Sequence, residues 1–196
     1  MKPDRRQQII AAAMDLFAKK GFRGTTTRDL ATQAGVNEAI IFRYFKTKEE
    51  LYSAIIEHKA GERDLHREEL QRLAAMNDDE EFLQAVGRTF LEKHETDTTF
   101  MRLLLLSALE GHQLSDMFVS SMAARHPIAD YIQRRIDEGV FRPFDPHLAA
   151  RALLGMFVGF IMLQEILGLK KKHPSDREEV VRTFVSIFLS GIANRP

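Results

Sequence analysis

Residues 21–51 read GFRGTTTRDLATQAGVNEAIIFRYFKTKEEL, and this stretch decides the fold. Three threonines, Thr25 to Thr27, precede a short helical segment, Arg28 to Ala34. Thr27 is placed to cap it, and Asp29 falls in the first turn, where the helix dipole favours an acid. Gly35 ends the segment, because glycine takes the backbone a tight turn needs. Asn37 then caps a second short helix, Glu38 to Phe45. Leu30, Ala31, Val36, Ile41 and Phe45 are spaced to form a small core beneath both. Two short helices around a glycine turn are the layout of a helix-turn-helix, whose second helix enters the major groove of duplex DNA. Helical hairpins are common, so this pattern alone leaves DNA binding and plain packing equally open.

Outward from this stretch the chain reads as helix after helix, with little period-two alternation. Upstream, Ile9, Ala13, Leu16, Phe17 and Lys20 share one face of a helix capped by Asp4 and ended by Gly21. Downstream, Thr47 and Glu50 form a capping box for a long fourth helix reaching about Ala75. Asp78 and its neighbours open a fifth helix over roughly 80–95, and the apolar run from Phe100 to Leu109 is a sixth, resuming over Leu114 to Ala124. Pro127 opens a seventh helix ending near Gly139. Asp145-Pro146 opens an eighth reaching Leu169, with Lys170 to Lys172 at its negative end. Ser175 with Glu178 caps a ninth through Ile192. The expected class is all-α with about nine helices.

Formal net charge is zero over 196 residues, yet the charge is not evenly spread. Residues 1–50 hold 10 Lys and Arg against 6 Asp and Glu, leaving 18 against 22 for the rest. The basic excess lies where a phosphate-binding surface would be, though an excess this small decides nothing alone. Cysteine is absent, which excludes a disulfide framework, a thiolate zinc site and a cysteine nucleophile, and suits a cytoplasmic protein. The start, MKPDRRQQII, has no apolar run behind its basic residues and is not a secretory signal. The greasiest stretch, Ala152 to Leu163, falls short of the roughly 18 apolar residues of a membrane span and reads as a buried helix. His58 and His66, with Glu62 between them, exceed the spacing of a helical metal pair and read as solvated side chains. Nucleophile-elbow, P-loop and HExxH patterns are absent, so neither an enzyme nor a cofactor is expected.

The run over residues 21–51 closely resembles the signature of TetR-type repressors. The matching features are Gly21-Phe22, Thr25 to Thr27, Ala34-Gly35-Val36, Phe42-Arg43-Tyr44-Phe45 and Lys48-Glu49-Glu50-Leu51. The resemblance implies a helix-turn-helix domain over residues 1–47 and a ligand-binding and dimerisation domain over 48–196. It also implies that Thr27 holds a phosphate and that Arg28 reaches the backbone or a base edge. Asn37, Glu38, Ala39 and Arg43 would face the groove, Phe42 would touch a thymine methyl, and Tyr44 and Lys48 would grip flanking phosphates. Packing against the first helix is the alternative for Phe42 and Tyr44. Glu38 departs from the basic residue common at its position, and Ile40 replaces a small hydroxyl residue; both bear on the operator sequence.

Beyond residue 55 the resemblance is diffuse and is compatible with repressors of multidrug-efflux genes. Aromatic, aliphatic and methionine side chains suited to an adaptable apolar pocket are Phe90, Met101, Leu105, Phe118, Met122, Tyr131 and Phe160, with Gln164 as a polar member. Glu165, Glu110 and His112 are further polar candidates. Ala152, Met156, Gly159 and Leu163 line one helical stripe, and Val180, Phe184 and Phe188 another; together they offer a homodimer interface. The expected protein is a ligand-responsive repressor that binds double-stranded DNA as a homodimer, without a membrane partner, and is released by a small hydrophobic inducer. A ligand-blind or activating regulator of the same fold, or a small-molecule-binding helical protein without DNA function, are the alternatives.

Overall fold

A computed structural model describes the backbone of residues 4–64, 67–111 and 127–193, and their side chains except those of 60–64 and 67–69. Ten α-helices run through the described residues: α1 Arg5–Lys20, α2 Thr27–Gln33, α3 Glu38–Tyr44, α4 Lys48–Asp64, α5 Arg67–Ala75, α6 Asp79–Thr96, α7 Thr99–Leu109, α8 Pro127–Asp137, α9 Pro146–Ile161 and α10 Arg177–Ile192. The protein is all-helical. A lone antiparallel bridge between Phe141 and Ala193 is the extended pairing seen among the described residues.

The helix ends show why the elements start where they do. Asp4 accepts from the Arg6 N–H at 3.0 Å and caps α1. Gly21, at φ +74, closes that helix with its N–H on the Phe17 carbonyl, 3.0 Å away. The α2 cap is Thr26, one residue before the expected Thr27. Thr26 Oγ1 accepts from the Asp29 N–H at 3.1 Å, while Asp29 accepts from the Thr26 N–H at 2.9 Å. Among three consecutive threonines, the cap is the one with an acid three residues on. The Thr26 backbone N–H and then the Lys20 ammonium hold the Asp29 carboxyl well below the usual carboxylate range. This support is complete above the unfolded carboxyl's pKa of about 4 and is lost only as pH falls far below it.

Other boundaries depart from the sequence reading. Of the helix expected to run from Thr47 to Ala75, α4 and α5 describe Lys48–Asp64 and Arg67–Ala75, and the two residues between them lie outside the described residues. Asp176, not Ser175, caps α10, accepting from the Glu179 N–H at 2.9 Å; the Ser175 hydroxyl instead accepts from the Gln164 amide at 3.4 Å. The helix expected to reach Leu169 leaves α geometry after Ile161, through a π turn at Met162–Ile166 and a 3₁₀ turn at Leu169–Lys171. The helix expected over 114–124 lies outside the described residues.

Packing divides the chain into two compact units, Met1–Leu65 with Thr98–Ala123, and His66–Asp97 with Ala124–Pro196. In the first, α1 packs against α2, α4 and α7. Its core centres on Phe17, Phe22 and Tyr52, whose rings stand 5.3 to 6.1 Å apart. Tyr52 is fully buried, donates its hydroxyl to Ser107 Oγ at 3.0 Å, and has its pKa pushed up by that burial. This unit joins α4 and α7 to the helix-turn-helix.

In the second unit, α6 packs against α5, α9 and α10, and α8 against α9. Asp79 at the start of α6 receives the Tyr131 hydroxyl at 2.5 Å and the Arg135 guanidinium at 2.8 and 3.0 Å. Burial, with Asp79 beside it, raises the Tyr131 pKa well above the phenolic range. Gly87 lets α6 and α9 approach, since a Cβ there would lie 2.5 Å from the Phe157 ring. Phe157 is fully buried and has no room to retreat. Gly87→Ala is therefore expected to destabilise the protein by about 1–2 kcal/mol, overpacking outweighing the gain in helix propensity; urea unfolding that shows equal or greater stability would contradict this contact.

Candidate nucleic-acid interface

The α2–α3 pair is built from its buried side outward. Leu30, Ala31, Ala34, Ile41 and Phe45 are buried in the core of the first unit, with Val36 and Ile40 packed against its edge. Gly35, at φ +61, makes the turn between the helices. Asn37 caps α3 by accepting from the Ile40 N–H at 2.9 Å. Burying Ile41 and Phe45 rotates the opposite face of α3 to solvent.

That face holds most of the expected contact residues. Asn37, Glu38, Ala39, Phe42, Arg43 and Tyr44 are exposed, Phe42 by 54%. Phe42 thus keeps more than half of its apolar surface in solvent. The Arg43 guanidinium lies 5.4 Å from the Tyr44 ring centroid, which stiffens both. Arg28, exposed on α2, reaches Glu38 at 3.8 Å, so the acid that departs from the expected pattern is partly neutralised by its neighbour. Such an exposed pair contributes little to stability. Thr27 is the first residue of α2 rather than its cap and is half-buried.

Lys48 is placed differently from the other basic residues. Its ammonium donates to the carbonyls of Phe22 at 2.9 Å and Thr25 at 2.8 Å and sits 4.6 Å from the Phe22 ring. Two of its three donors therefore hold the α1–α2 turn, and one is left for a phosphate. The sequence also gave no sign of Glu110 here. Its carboxylate, at the end of α7, accepts from the backbone N–H groups of Phe22 at 3.1 Å and Arg23 at 3.4 Å. Local patterning cannot reveal a partner 88 residues away.

Residues 9–55 match the family pattern described as bacterial regulatory proteins, tetR family, and residues 81–191 match the AefR-like transcriptional repressor, C-terminal domain. The chain belongs to the TetR family. It is 25% identical over 194 residues to YvkB of Bacillus subtilis, an uncharacterized HTH-type transcriptional regulator, covering 98% of this chain and 99% of YvkB. Its fold is similar to that of the fatty acid degradation regulator FadR from Bacillus halodurans, with a TM-score of 0.77, 19% identity and all of both chains covered. It is also similar to the transcriptional regulator FadR from Bacillus subtilis in complex with stearoyl-CoA, with a TM-score of 0.74 at 20% identity, covering 95% of this chain and 98% of that one. These matches establish a TetR-family regulator and do not extend to the efflux subtype.

The residues expected to line a pocket in this TetR-family chain fall in different places. Met101 and Leu105 are half-buried on α7 in the first unit. In the second, Phe90, Phe157, Phe184 and Phe160 form a chain of rings with successive centroids 6.3, 5.5 and 5.9 Å apart. Tyr131 is tied to Asp79, and its ring stacks on Phe82 at 3.9 Å. Gln164 is buried in the π turn, its Oε1 without a hydrogen-bond partner. Phe118 and Met122 lie outside the described residues, as do His66, His112 and the side chain of Glu62.

Of the expected dimer residues, Ala152 is exposed, Met156 and Gly159 are half-buried and Leu163 is 50% exposed. Val180 and Phe188 instead belong to the core of their own chain, and Phe184 packs on Phe157 and Phe160. The outward face of α10 presents Ile187, 60% exposed. For Phe188 the reason is helical phase: burying Val181, Val185 and Ile192 carries it inward with them.

Two sets of substitutions separate surface from core in the first unit. Phe42→Ala is expected to leave stability within about 0.5 kcal/mol and to weaken duplex binding, whereas Phe45→Ala costs about 3–5 kcal/mol; chemical unfolding and fluorescence anisotropy read the two effects. Arg43→Met is expected to alter base preference among competing duplexes, while Lys48→Met weakens binding to every duplex, reduces the salt slope by about one and lowers stability by about 1–3 kcal/mol through its two released carbonyls. An unchanged salt slope for Lys48→Met would take its ammonium off the phosphate contacts.

Proposed function

We propose that this TetR-family protein is a repressor that binds a pseudo-palindromic operator as a homodimer and is released by a small hydrophobic inducer. The observation that carries the reading is the exposed face of α3, where Phe42 and Arg43, with Asn37 at the cap, are open to solvent on a helix anchored from behind. A helix so mounted can enter the major groove with an apolar ring for a thymine methyl and polar groups for base edges. Thr27, Arg28 and Tyr44 flank it for backbone contacts, Glu38 and Ala39 face the bases, and half-buried Ile40 takes no phosphate. Residues 1–47 carry DNA contact, and 48–196 carry ligand response and dimerisation.

The dimer reading is supported by α9. Within Pro146–Ile166, 21 residues long, an 18-residue window has a mean hydropathy of 1.6, yet only 28% of that window is buried, contrary to the buried helix expected from sequence. By length and composition alone it would serve as a membrane span. Leu148 and Ala152 are exposed on α9 and Leu163 and Leu167 just beyond it, and Gly155 and Gly159 have open space where a Cβ would stand. A stripe of small and apolar residues suits close approach by the same helix of a second copy. Covering it stabilises the assembly by about 25 cal/mol per Å² before association costs.

The inducer class follows from weaker support. The aromatic chain of the second unit offers an apolar lining, and the Bacillus subtilis FadR holds stearoyl-CoA, so a long-chain acyl thioester is the first compound to try. Binding alone does the work, in the cytoplasm and without a cofactor or a catalytic step. A ligand lowers operator affinity only if it binds the released conformation better than the DNA-bound one.

Light scattering at micromolar concentration is expected to give twice the chain mass, and anisotropy a salt-sensitive complex with duplex DNA from upstream of the protein's own gene. Leu163→Arg is expected to give monomers with weakened duplex binding. Stearoyl-CoA is expected to raise the unfolding midpoint by mass action and to dissociate the duplex. A wild-type monomer, or a chain that associates only with detergent or lipid, would overturn the dimer; absence of any salt-sensitive duplex binding would overturn the function.

A further inference from the structure

We propose that Glu110 is a positioning residue for DNA binding: by holding the turn between α1 and α2, it lets α7 set where the recognition helix stands. The inference rests on the reading of α2 and α3 as the DNA-binding pair.

The turn over residues 21–25 is held by two opposite charges from two different helices. Glu110 Oε2, from α7, accepts the N–H groups of Phe22 and Arg23 at 3.1 and 3.4 Å. Lys48, from α4, donates to the carbonyls of Phe22 and Thr25 at 2.9 and 2.8 Å. Thr25 closes the loop by donating its hydroxyl to the Gly21 carbonyl at 2.8 Å. An anion thus takes the donors of the turn and a cation its acceptors. Gly21 makes room for the anion: a Cβ there would lie 2.1 Å from Glu110 Oε1, and its φ of +74 independently favours glycine.

The rest of α7 makes this grip directional. Its sequence, TFMRLLLLSAL, offers mostly apolar side chains, whose contacts tolerate sliding. Ser107 and Glu110 are three residues apart and share a face. Ser107 receives the buried Tyr52 hydroxyl, and Tyr52 packs against Phe22, the residue that Glu110 and Lys48 both hold. Movement of α7 by about 1.5 Å, the rise of one residue, takes the Glu110 bonds to or past hydrogen-bonding range. The turn then loses its support on one side while Lys48 keeps the other. Because α2 begins two residues after Thr25, a loosened turn releases the helix pair rather than a remote loop.

Reach and charge can be separated at this site. Glu110→Asp keeps the charge and withdraws the carboxylate by one methylene; Glu110→Gln loses the charge and keeps an acceptor at full reach. In the full-length chain, with labelled duplex from upstream of its own gene as the probe, Glu110→Asp is expected to bind about tenfold more weakly and Glu110→Gln within about threefold of wild type. The salt slope should be unchanged in both, because no phosphate contact is lost. Amide exchange at Phe22 and Arg23 should accelerate in Glu110→Asp, with the unfolding midpoint within a few degrees of wild type. Equal affinity of Glu110→Asp and wild type would overturn the proposal, as would weak binding by Glu110→Gln with a changed salt slope. Failure of the wild-type chain to bind any duplex would instead sink the DNA-binding reading, and it would be seen before any variant is compared.

Discussion

Helices of seven residues do not persist in water on their own, and the DNA-facing part of this protein consists of two of them. Isolated helices below about 12–15 residues are marginal even with favourable sequences. The position of α2 and α3 is therefore set by what lies behind them. Phe17, Phe22 and Tyr52 form the wall, Leu30, Ala31, Ile41 and Phe45 are the residues pressed against it, and side-chain caps close the helix starts. Remove that wall and no amount of surface chemistry on α3 would define a recognition helix.

The same dependence explains why α4 and α7 pack in one unit with the helix-turn-helix. Tyr52 comes from α4, its hydroxyl partner Ser107 from α7, and together they complete a core that α1 to α3 are too small to bury alone. Helices that the proposed division gives to ligand response thus supply structural parts of the DNA-binding unit, so the coupling proposed above needs no special conduit. A shift of α4 or α7 is already a shift of the wall and of the groups that hold the α1–α2 turn.

The parts of this arrangement that were legible in the sequence are the local ones. Asn37 as a cap, Gly35 as a turn and Ile41 with Phe45 as the inward face all act within a few residues of themselves. Placing the cap at Thr27 rather than Thr26 came from giving three threonines the same weight, when the reciprocating Asp29 selects one. Non-local groups were opaque for a physical reason. Glu110 looks like any polar residue ending an apolar helix, and Lys48 like any exposed cation, until tertiary packing brings both to one turn. On α10 the apolar residues run around much of the helix, so sequence could not fix its phase; the packing that buries Val181 and Val185 turns Ile187, rather than Phe188, outward.

The apolar excess of α9 is the remaining feature that one chain does not account for. A helix with this hydropathy that were wholly core would be covered on all sides; here Leu148 stands in solvent, as do Leu163 and Leu167 in the turns that follow. Contiguous apolar patches on soluble chains are normally limited to a few hundred Å² unless something docks on them. A second copy is the partner that is always present at equal concentration, and a two-fold interface needs only one surface that complements itself. Such symmetry would also give the recognition helix a mate at a fixed distance, about 34–36 Å when the two lie in successive major grooves. The greasiest helix of the chain and the short recognition helix would then serve the same end, one fixing the spacing that the other reads.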